Sequence, residues 1–438
     1  MDENTTQPET PPPAEPDQPA SGKPARRAPA TKNKAKPVLR IGSPDSVLAV
    51  IPGLLGFHPS RSLVVLGAGP PRGRIEVAFR YDLPEPPDPS GAAKIATHAA
   101  SILTRHQLPL AIVAGYGPGP MVTPVADALV AELRRAEITL HDMLRVENGR
   151  YWSYSCRNPR CCPPEGVPFD SSSHPVSAKM TAAGNKALRD RAALAATLAP
   201  LGGQTADAMR QAFRQAERRI TDAIQKRGVP ARRYGAIQQV INDGLRAVRE
   251  TIEAYRQGGS VTAPDRVAWL AVSLGDLRVR DDAWARMVPE HAVAHQRLWT
   301  DVLRRSPARY APAVASLLAF TAWQSGNGAL ANVAVERALA ADPEYSMALL
   351  LQEAVTSGIP PAAARLPMTP EEVAASYAAS ADPSTFGLPP RIPPPAPRKP
   401  AGGARHPASG PPGPSDRARR PSGKVRKPAD RTKGPAPR

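Results

Sequence analysis

Aromatic side chains are scarce: they make up 5% of the 438 residues and are nearly missing from both ends, where proline is densest. Those ends hold too little apolar area to offset the entropy of an ordered chain, so residues 1–37 and 359–438 read as disordered Pro-rich termini. Long apolar runs are lacking too. The most apolar stretch, Ser46 to Gly69, is broken by Pro52, His58, Pro59 and Arg61, well short of the ~18 to 20 uninterrupted residues that a bilayer demands. After Met1 come acidic, polar and Pro-rich residues, where secretion would need a basic start and an apolar core. These absences predict a cytoplasmic protein with no membrane span. Cysteine is confined to one seven-residue window, and in a reducing compartment that argues against a disulfide framework and for free, metal-bound or redox-active thiols.

Acidic charge is also in short supply, which leaves a net charge of +18. Most of the excess lies at the end: from Leu388 to Arg438 thirteen Lys or Arg face only Asp416 and Asp430, a net +11. Arg417, Arg419, Arg420, Lys424, Arg426 and Lys427 cluster there. Such a tail can hold nucleic acid weakly and non-specifically, with strong salt dependence, or serve only to keep the chain soluble.

What remains between the ends is patterned for folding. Val38 to Ile41 reads as a short strand. Ser43-Pro44-Asp45 then opens a helix that runs to about Leu55. Ser62–Gly67 and Ile75–Leu83 have strand character, and Gly91–His106 is helical. Leu110–Gly115 is a continuous apolar run, the pattern of a strand covered on both faces, and Val125–Ala136 is an amphipathic helix behind it. Ile138–Val146 and Arg150–Tyr154 are the last two strands, joined through Glu147-Asn148-Gly149, where Asn-Gly is a strong hairpin signal. Residues 38–174 thus predict a three-layer α/β domain with a mixed sheet. The loop Tyr116-Gly117-Pro118-Gly119-Pro120 sits where such sheets hold phosphates. It lacks the usual glycine spacing, and its prolines remove N–H donors, so a plain connection is the simpler reading.

An all-helical region follows. Units of roughly Ser177–Leu188, Gln204–Gln225 and Ala231–Tyr255 fill residues 175–260, with Arg210, Arg214, Arg218 and Arg219 on a face that Glu217 and Asp222 would lace with ion pairs. Residues 261–358 continue it. Trp323 to Pro343 resembles one tetratricopeptide unit, with small alanines where the helices would cross and Asp342-Pro343 ending the second helix. One unit cannot stand alone, so it must pack on the helices before it. A protein docking on this helical half is one expected partner, and a plain helical hairpin without a peptide groove is the alternative.

The window with all the sulfur is Tyr151-Trp152-Ser153-Tyr154-Ser155-Cys156-Arg157-Asn158-Pro159-Arg160-Cys161-Cys162-Pro163-Pro164-Glu165-Gly166, just past the final strand. Three readings stay open. Cys156, Cys161 and Cys162 could supply three ligands to zinc, with His141, His174, Asp170 or water as the fourth, although vicinal cysteines reach one ion with difficulty. They could be reactive thiols, with Arg157 and Arg160 stabilising a thiolate and Glu165 orienting a partner. Or the turn could be a buried structural one, capped by Pro163-Pro164. Trp152 and Tyr154 share a strand face and, with Arg80, are candidates for ligand binding; core packing explains the aromatics equally well. Catalysis would draw on Cys156, Cys161, Cys162, Glu165, Asp82 and His58. No complete set of nucleophile, base and orienter can be assembled from local motifs, so a non-enzymatic ligand- or protein-binding module is preferred over a hydrolase or redox enzyme.

Three segments carry a resemblance. Asp45 with Pro52-Gly53-Leu54-Leu55-Gly56-Phe57-His58-Pro59 and Ser62-Leu63-Val64-Val65, then Arg80-Tyr81-Asp82-Leu83-Pro84, then the Tyr151 to Gly166 window, look like the actinobacterial family called domain of unknown function 4192. The resemblance runs from about Val38 to about Gly358. It implies an intracellular actinobacterial protein and makes the His58-Pro59 and Cys161-Cys162-Pro163-Pro164-Glu165-Gly166 turns family features. It implies no catalytic residue.

Overall fold

Pro44 and Asp45 open helix α1 (Pro44–Leu55) as predicted, and Gly56, at φ 78°, turns the chain out of it toward the sheet. The computed structural model describes residues 42–70, 73–225, 230–361 and 368–379. Strands β1 (Ser62–Gly69) and β2 (Arg74–Asp82) form an antiparallel pair, followed by helix α2 (Pro89–Arg105). Asp88 caps α2 by accepting from the N–H groups of Ser90 and Gly91, which satisfies two of the amides that a helix start leaves open. Then come β3 (Leu110–Tyr116), α3 (Gly119–Arg135), β4 (Thr139–Glu147), β5 (Arg150–Ser153) and β6 (Val167–Pro168).

The sheet has the order β2-β1-β3-β4-β5-β6. β3 and β4 are parallel, connected through α3, and every other neighbouring pair is antiparallel. Asn148 and Gly149 both take positive φ between β4 and β5, the conformation that a tight hairpin turn demands and that Asn-Gly supplies cheaply. Alternation along the strands sorts the two faces. Leu63, Val65, Ala111, Val113 and Met143 pack with Ala96, Leu103, Val122, Val125 and Leu129 of α2 and α3. Val64, Leu66, Ile112, Ala114 and Leu144 pack the other way, on Val47, Leu48 and Ile51 of α1, in a core that continues into the helical half. The expected three layers and mixed sheet are therefore present.

The helical half comprises α4 (Pro175–Ala182), α5 (Arg191–Ala196), α6 (Gly203–Gln225), α7 (Pro230–Arg256), α8 (Pro264–Ser273), α9 (Leu277–Ala285), α10 (Ala292–Arg305), α11 (Ala311–Gln324), α12 (Gly328–Ala341) and α13 (Ser346–Thr356). The tetratricopeptide-like hairpin is α11 and α12, with Asn327 capping α12 through the N–H of Leu330. Every residue of α11 from Ala311 to Trp323 is buried. Its alanines let neighbours approach on all sides, so the hairpin forms the centre of the helical core and α11 presents no face to a peptide.

Several boundaries differ from expectation. The Val38–Ile41 strand lies outside the described residues, as do residues 1–37 and the chain beyond 379. The helix expected over Ser177–Leu188 stops at Ala182, because Gly184 takes φ 90° and Leu188 leaves to bridge Phe57. α3 starts at Gly119 rather than Val125: Pro120 sits in its first turn, where a missing N–H costs least, and Pro124 is accommodated inside the helix one turn on. The Pro-rich tail expected from residue 359 contains a helix, α14 (Pro370–Ala379), docked on α9 where Tyr377 donates to Asp281 at 2.6 Å. Among the described residues no helix is long and apolar enough to cross a membrane.

His295 on α10 is 1% exposed, and burial, with help from the nearby charges of His291 and Arg256, pushes its pKa down to about 4. In the unfolded chain it titrates near ~6.5. Between those values the unfolded state binds the proton and the folded state does not, so stability is full above pH ~6.5 and falls as the pH drops toward 4. The expected loss is on the order of 3 kcal/mol. Urea unfolding at pH 7 and pH 4.5 measures it, and His295→Gln should flatten the difference. An unchanged pH dependence in that variant would refute the assignment.

Candidate functional site

Register brings the first polar group to the sulfur window. Leu144 of β4 pairs with Ser153 of β5, so Asp142 of β4 lies beside the end of β5 and accepts a hydrogen bond from Ser153 Oγ at 2.9 Å. Ser153 Oγ in turn accepts from the N–H groups of Ser155 at 3.2 Å and Cys156 at 3.1 Å. Asp142, through Ser153, thus sets the direction in which the chain leaves the strand.

Asn158 makes the next turn. Its carbonyl accepts from the N–H groups of Cys161 at 3.2 Å and Cys162 at 2.9 Å, while its side chain accepts from Arg160 N–H at 3.0 Å. A single curl of backbone with Asn158-Pro159 at its start carries the two vicinal cysteines back over Cys156. Cys156 Sγ and Cys161 Sγ are 3.2 Å apart, and all three sulfurs lie within 4.8 Å of one another. A tetrahedral ion with Zn–S bonds of ~2.3 Å holds its sulfurs about 3.8 Å apart, so the cluster has close to the spacing an ion needs. The difficulty expected of vicinal cysteines is met by the curl at Asn158.

None of the three is buried. Cys161 is exposed, and Cys156 and Cys162 are half-buried, so the turn is not a packed apolar plug. The thiols differ electrostatically. The N–H of Asn158 and hydrogen bonds from Cys161 and Cys162 favour the Cys156 thiolate and lower its pKa. Partial burial and the neighbouring sulfurs push Cys162 up to about 12. Cys156 is therefore the thiol whose thiolate the loop favours, and Cys162 the one whose thiolate it disfavours. The arginines expected to stabilise a thiolate, Arg157 and Arg160, stand exposed on the loop.

The turn after the cysteines rests on a shelf. Trp152 Nε1 donates to Pro164 O at 2.9 Å, and the Arg145 guanidinium lies 3.8 Å from the Trp152 ring centroid. Arg150 donates to the carbonyls of Gly166 at 2.8 Å and Glu165 at 3.4 Å. Gly166 closes the turn at φ 82°, its N–H donating to Pro163 O. Trp152 is thus a brace under the loop. Tyr154, on the same face and 42% exposed, bonds Thr123 of α3 at 2.8 Å.

The other candidates lie elsewhere. Asp82 ends β2, its carboxylate 80% exposed and paired with Arg80. Arg80 also sits over the Phe57 ring. Four strand spacings separate β2 from β5, roughly 19 Å, so neither joins the sulfurs. His58 faces Ser171 at 3.5 Å, and His174 caps α4 and lies 3.4 Å from Asp45. Asp170 is held by Ser172. His141 is exposed on β4. Among the described residues, the sulfur cluster gains no His, Asp or Glu as a fourth ligand. The Glu165 carboxylate has no hydrogen-bond or ion-pair partner among the described residues; its carbonyl is the group engaged. The Tyr116–Pro120 loop runs straight into the first turn of α3, with Pro118 at the cap making no side-chain bond.

Two adjoining grooves of about 450 and 420 Å³ lie between α6, α7 and α8. Arg219 spans both, stacked at 4.0 Å on Trp269 and paired with Asp243. Arg210 pairs with Asp207. Ion pairs thus engage two of the arginines expected to form a stripe, but not with the expected acids: Glu217 turns to Arg309 and Tyr310 instead, and Asp222 makes no ion pair among the described residues.

A family model described as Domain of unknown function (DUF4192) matches residues 44–362. No curated protein and no solved structure matches the chain.

Proposed function

We propose, for a chain that belongs to the family of the domain of unknown function DUF4192, that it is a non-enzymatic binding protein whose α/β half holds a thiophilic metal ion, zinc in the first place, on Cys156, Cys161 and Cys162. The observation that carries this reading is the convergence of three sulfurs within 4.8 Å. A redox pair needs two thiols, and a structural turn needs none exposed. Three soft donors within 4.8 Å of one another suit a borderline-soft ion. Asp142, acting through Ser153 on the N–H of Cys156, is the outer hydrogen-bond support that metal sites commonly use. A binding role is favoured over catalysis because strand order keeps Asp82 away from the sulfurs and His58 is not among the groups that converge with them. A cytoplasmic setting suits the reading, since a reducing compartment keeps the thiols available.

Metal content by plasma mass spectrometry, on protein purified without chelators, is expected to give about one equivalent of zinc per chain, following the one-ion logic of structural sites. Thiol titration should find the cysteines masked until the ion is removed. Cys161→Ser with Cys162→Ser should lose the ion while keeping the melting temperature of the helical half. Metal-free protein with three freely reactive thiols would overturn the reading. A Cys156–Cys161 disulfide under non-reducing conditions would replace it with a redox one, which the 3.2 Å sulfur separation favours as the second choice.

A further inference from the structure

We infer that the fourth position of the ion at Cys156, Cys161 and Cys162 takes a thiolate from outside this chain, an inference that rests on the metal reading above. The first ground is incompleteness. Three sulfurs converge, and among the described residues no fourth Cys, His, Asp or Glu reaches the cluster. Structural sites close all four positions, whereas sites with three protein ligands keep one for water or an incoming group.

The second ground is access. Cys161 is exposed and its two neighbours are half-buried, so a thiol can approach the sulfurs from solvent. Softness is the third: an ion already held by three thiolates binds a fourth sulfur more readily than a carboxylate or phosphate oxygen.

Charge gives the fourth ground. A divalent ion with three thiolates carries one net negative charge, which repels an incoming anion unless the surroundings compensate. Within the loop Arg157 and Arg160 oppose that charge and Glu165 adds to it, all three exposed and without an ion-pair partner among the described residues. Asp142, hydrogen-bonded by Ser153, is a further negative charge behind the cysteines. The two guanidiniums offset much of the negative charge around the site and lower the repulsion that an incoming thiolate meets. On binding, the thiol loses its proton to the buffer, and the sulfur lone pair occupies the position that water leaves.

The test uses full-length protein loaded with cobalt(II), whose absorption reports the number of sulfur ligands. Titration with 2-mercaptoethanesulfonate should move the spectrum from a three-sulfur to a four-sulfur form with saturation, whereas acetate and imidazole should bind far more weakly. A peptide with one cysteine flanked by aspartates separates a protein source of the thiolate from a small-molecule one, since whichever thiol saturates at lower concentration identifies it. Arg157→Gln with Arg160→Gln should keep cobalt stoichiometry and weaken 2-mercaptoethanesulfonate roughly three- to tenfold at low salt, the difference shrinking as salt screens it. A three-sulfur cobalt spectrum that neither thiol perturbs, or imidazole binding as tightly as thiol, overturns the inference and leaves the metal reading standing. Absence of any sulfur-to-cobalt absorption overturns the metal reading, and this one with it.

Discussion

Trp299→Ala is expected to destabilise the protein by about 3–5 kcal/mol, the range for removing a large aromatic from a packed core. Trp299 is 0% exposed on α10, among the largest fully buried side chains, and belongs to the core shared by the helical half and one face of the sheet. α10 packs on α6, α7, α8 and α11, so the cavity would open inside the helical core, and α11, buried all round, has no freedom to move into it. For a folded region of this size the loss corresponds to roughly 5–8 °C in Tm. Trp299→Phe should cost much less. It leaves a smaller void, and it deletes an indole N–H that has no hydrogen-bond acceptor, a group whose burial is itself unfavourable. Calorimetry on the two variants checks the ordering. Equal losses for Ala and Phe would mean that shape at this position, and not volume, sets the cost. Because Trp299 has no bond to the Cys turn, metal content should not change in either variant.

The hairpin between β4 and β5 was legible because Asn148-Gly149 admits few other conformations, and the apolar run of β3 because a strand covered on both faces needs little polar surface. The sulfur window was legible from composition alone. What composition cannot express is convergence. It depends on the Asn158 carbonyl receiving two amides, and on a register that sets Asp142 beside Ser153. Asp142 is an ordinary polar residue of a strand until that pairing is known. Trp152 invited a ligand-stacking role, yet its ring is spent on Arg145 and on the turn beyond the cysteines. Asp82 and His58 were grouped with the thiols for their chemistry; strand order, which no local motif encodes, keeps Asp82 apart from them. Proline misled twice, hiding the first turns of α3 and the whole of α14. Pro120 and Pro370 sit at helix starts, where a fixed φ helps, while Pro124 lies inside α3.

Gly166→Ala should have the largest effect on the candidate site. Gly166 takes φ 82°, a left-handed conformation that costs a residue with a Cβ about 1–2 kcal/mol. The added methyl would also sit 2.6 Å from Trp152 Cε2 and 2.8 Å from Cζ2. The indole cannot retreat, because Arg145 lies over its ring and Pro164 O holds its N–H. Overpacking of that kind adds about 1–3 kcal/mol. The turn itself can move, since Pro164 and Glu165 are exposed. The strain should therefore be relieved by lifting Pro163 to Gly166 off the shelf, and Cys162, directly before Pro163, moves with them. Two consequences follow, one of which does not depend on the metal. Trp152 fluorescence should shift toward that of a solvated indole, and the ion bound at Cys156, Cys161 and Cys162 should fall well below one equivalent. The double variant Trp152→Ala with Gly166→Ala removes the clash and keeps the backbone strain, so it should be less destabilised than the sum of the single variants, by the clash share of about 1–3 kcal/mol. Strict additivity would show that the indole does not brace the turn. Full metal occupancy in Gly166→Ala would show that the turn does not position the sulfurs.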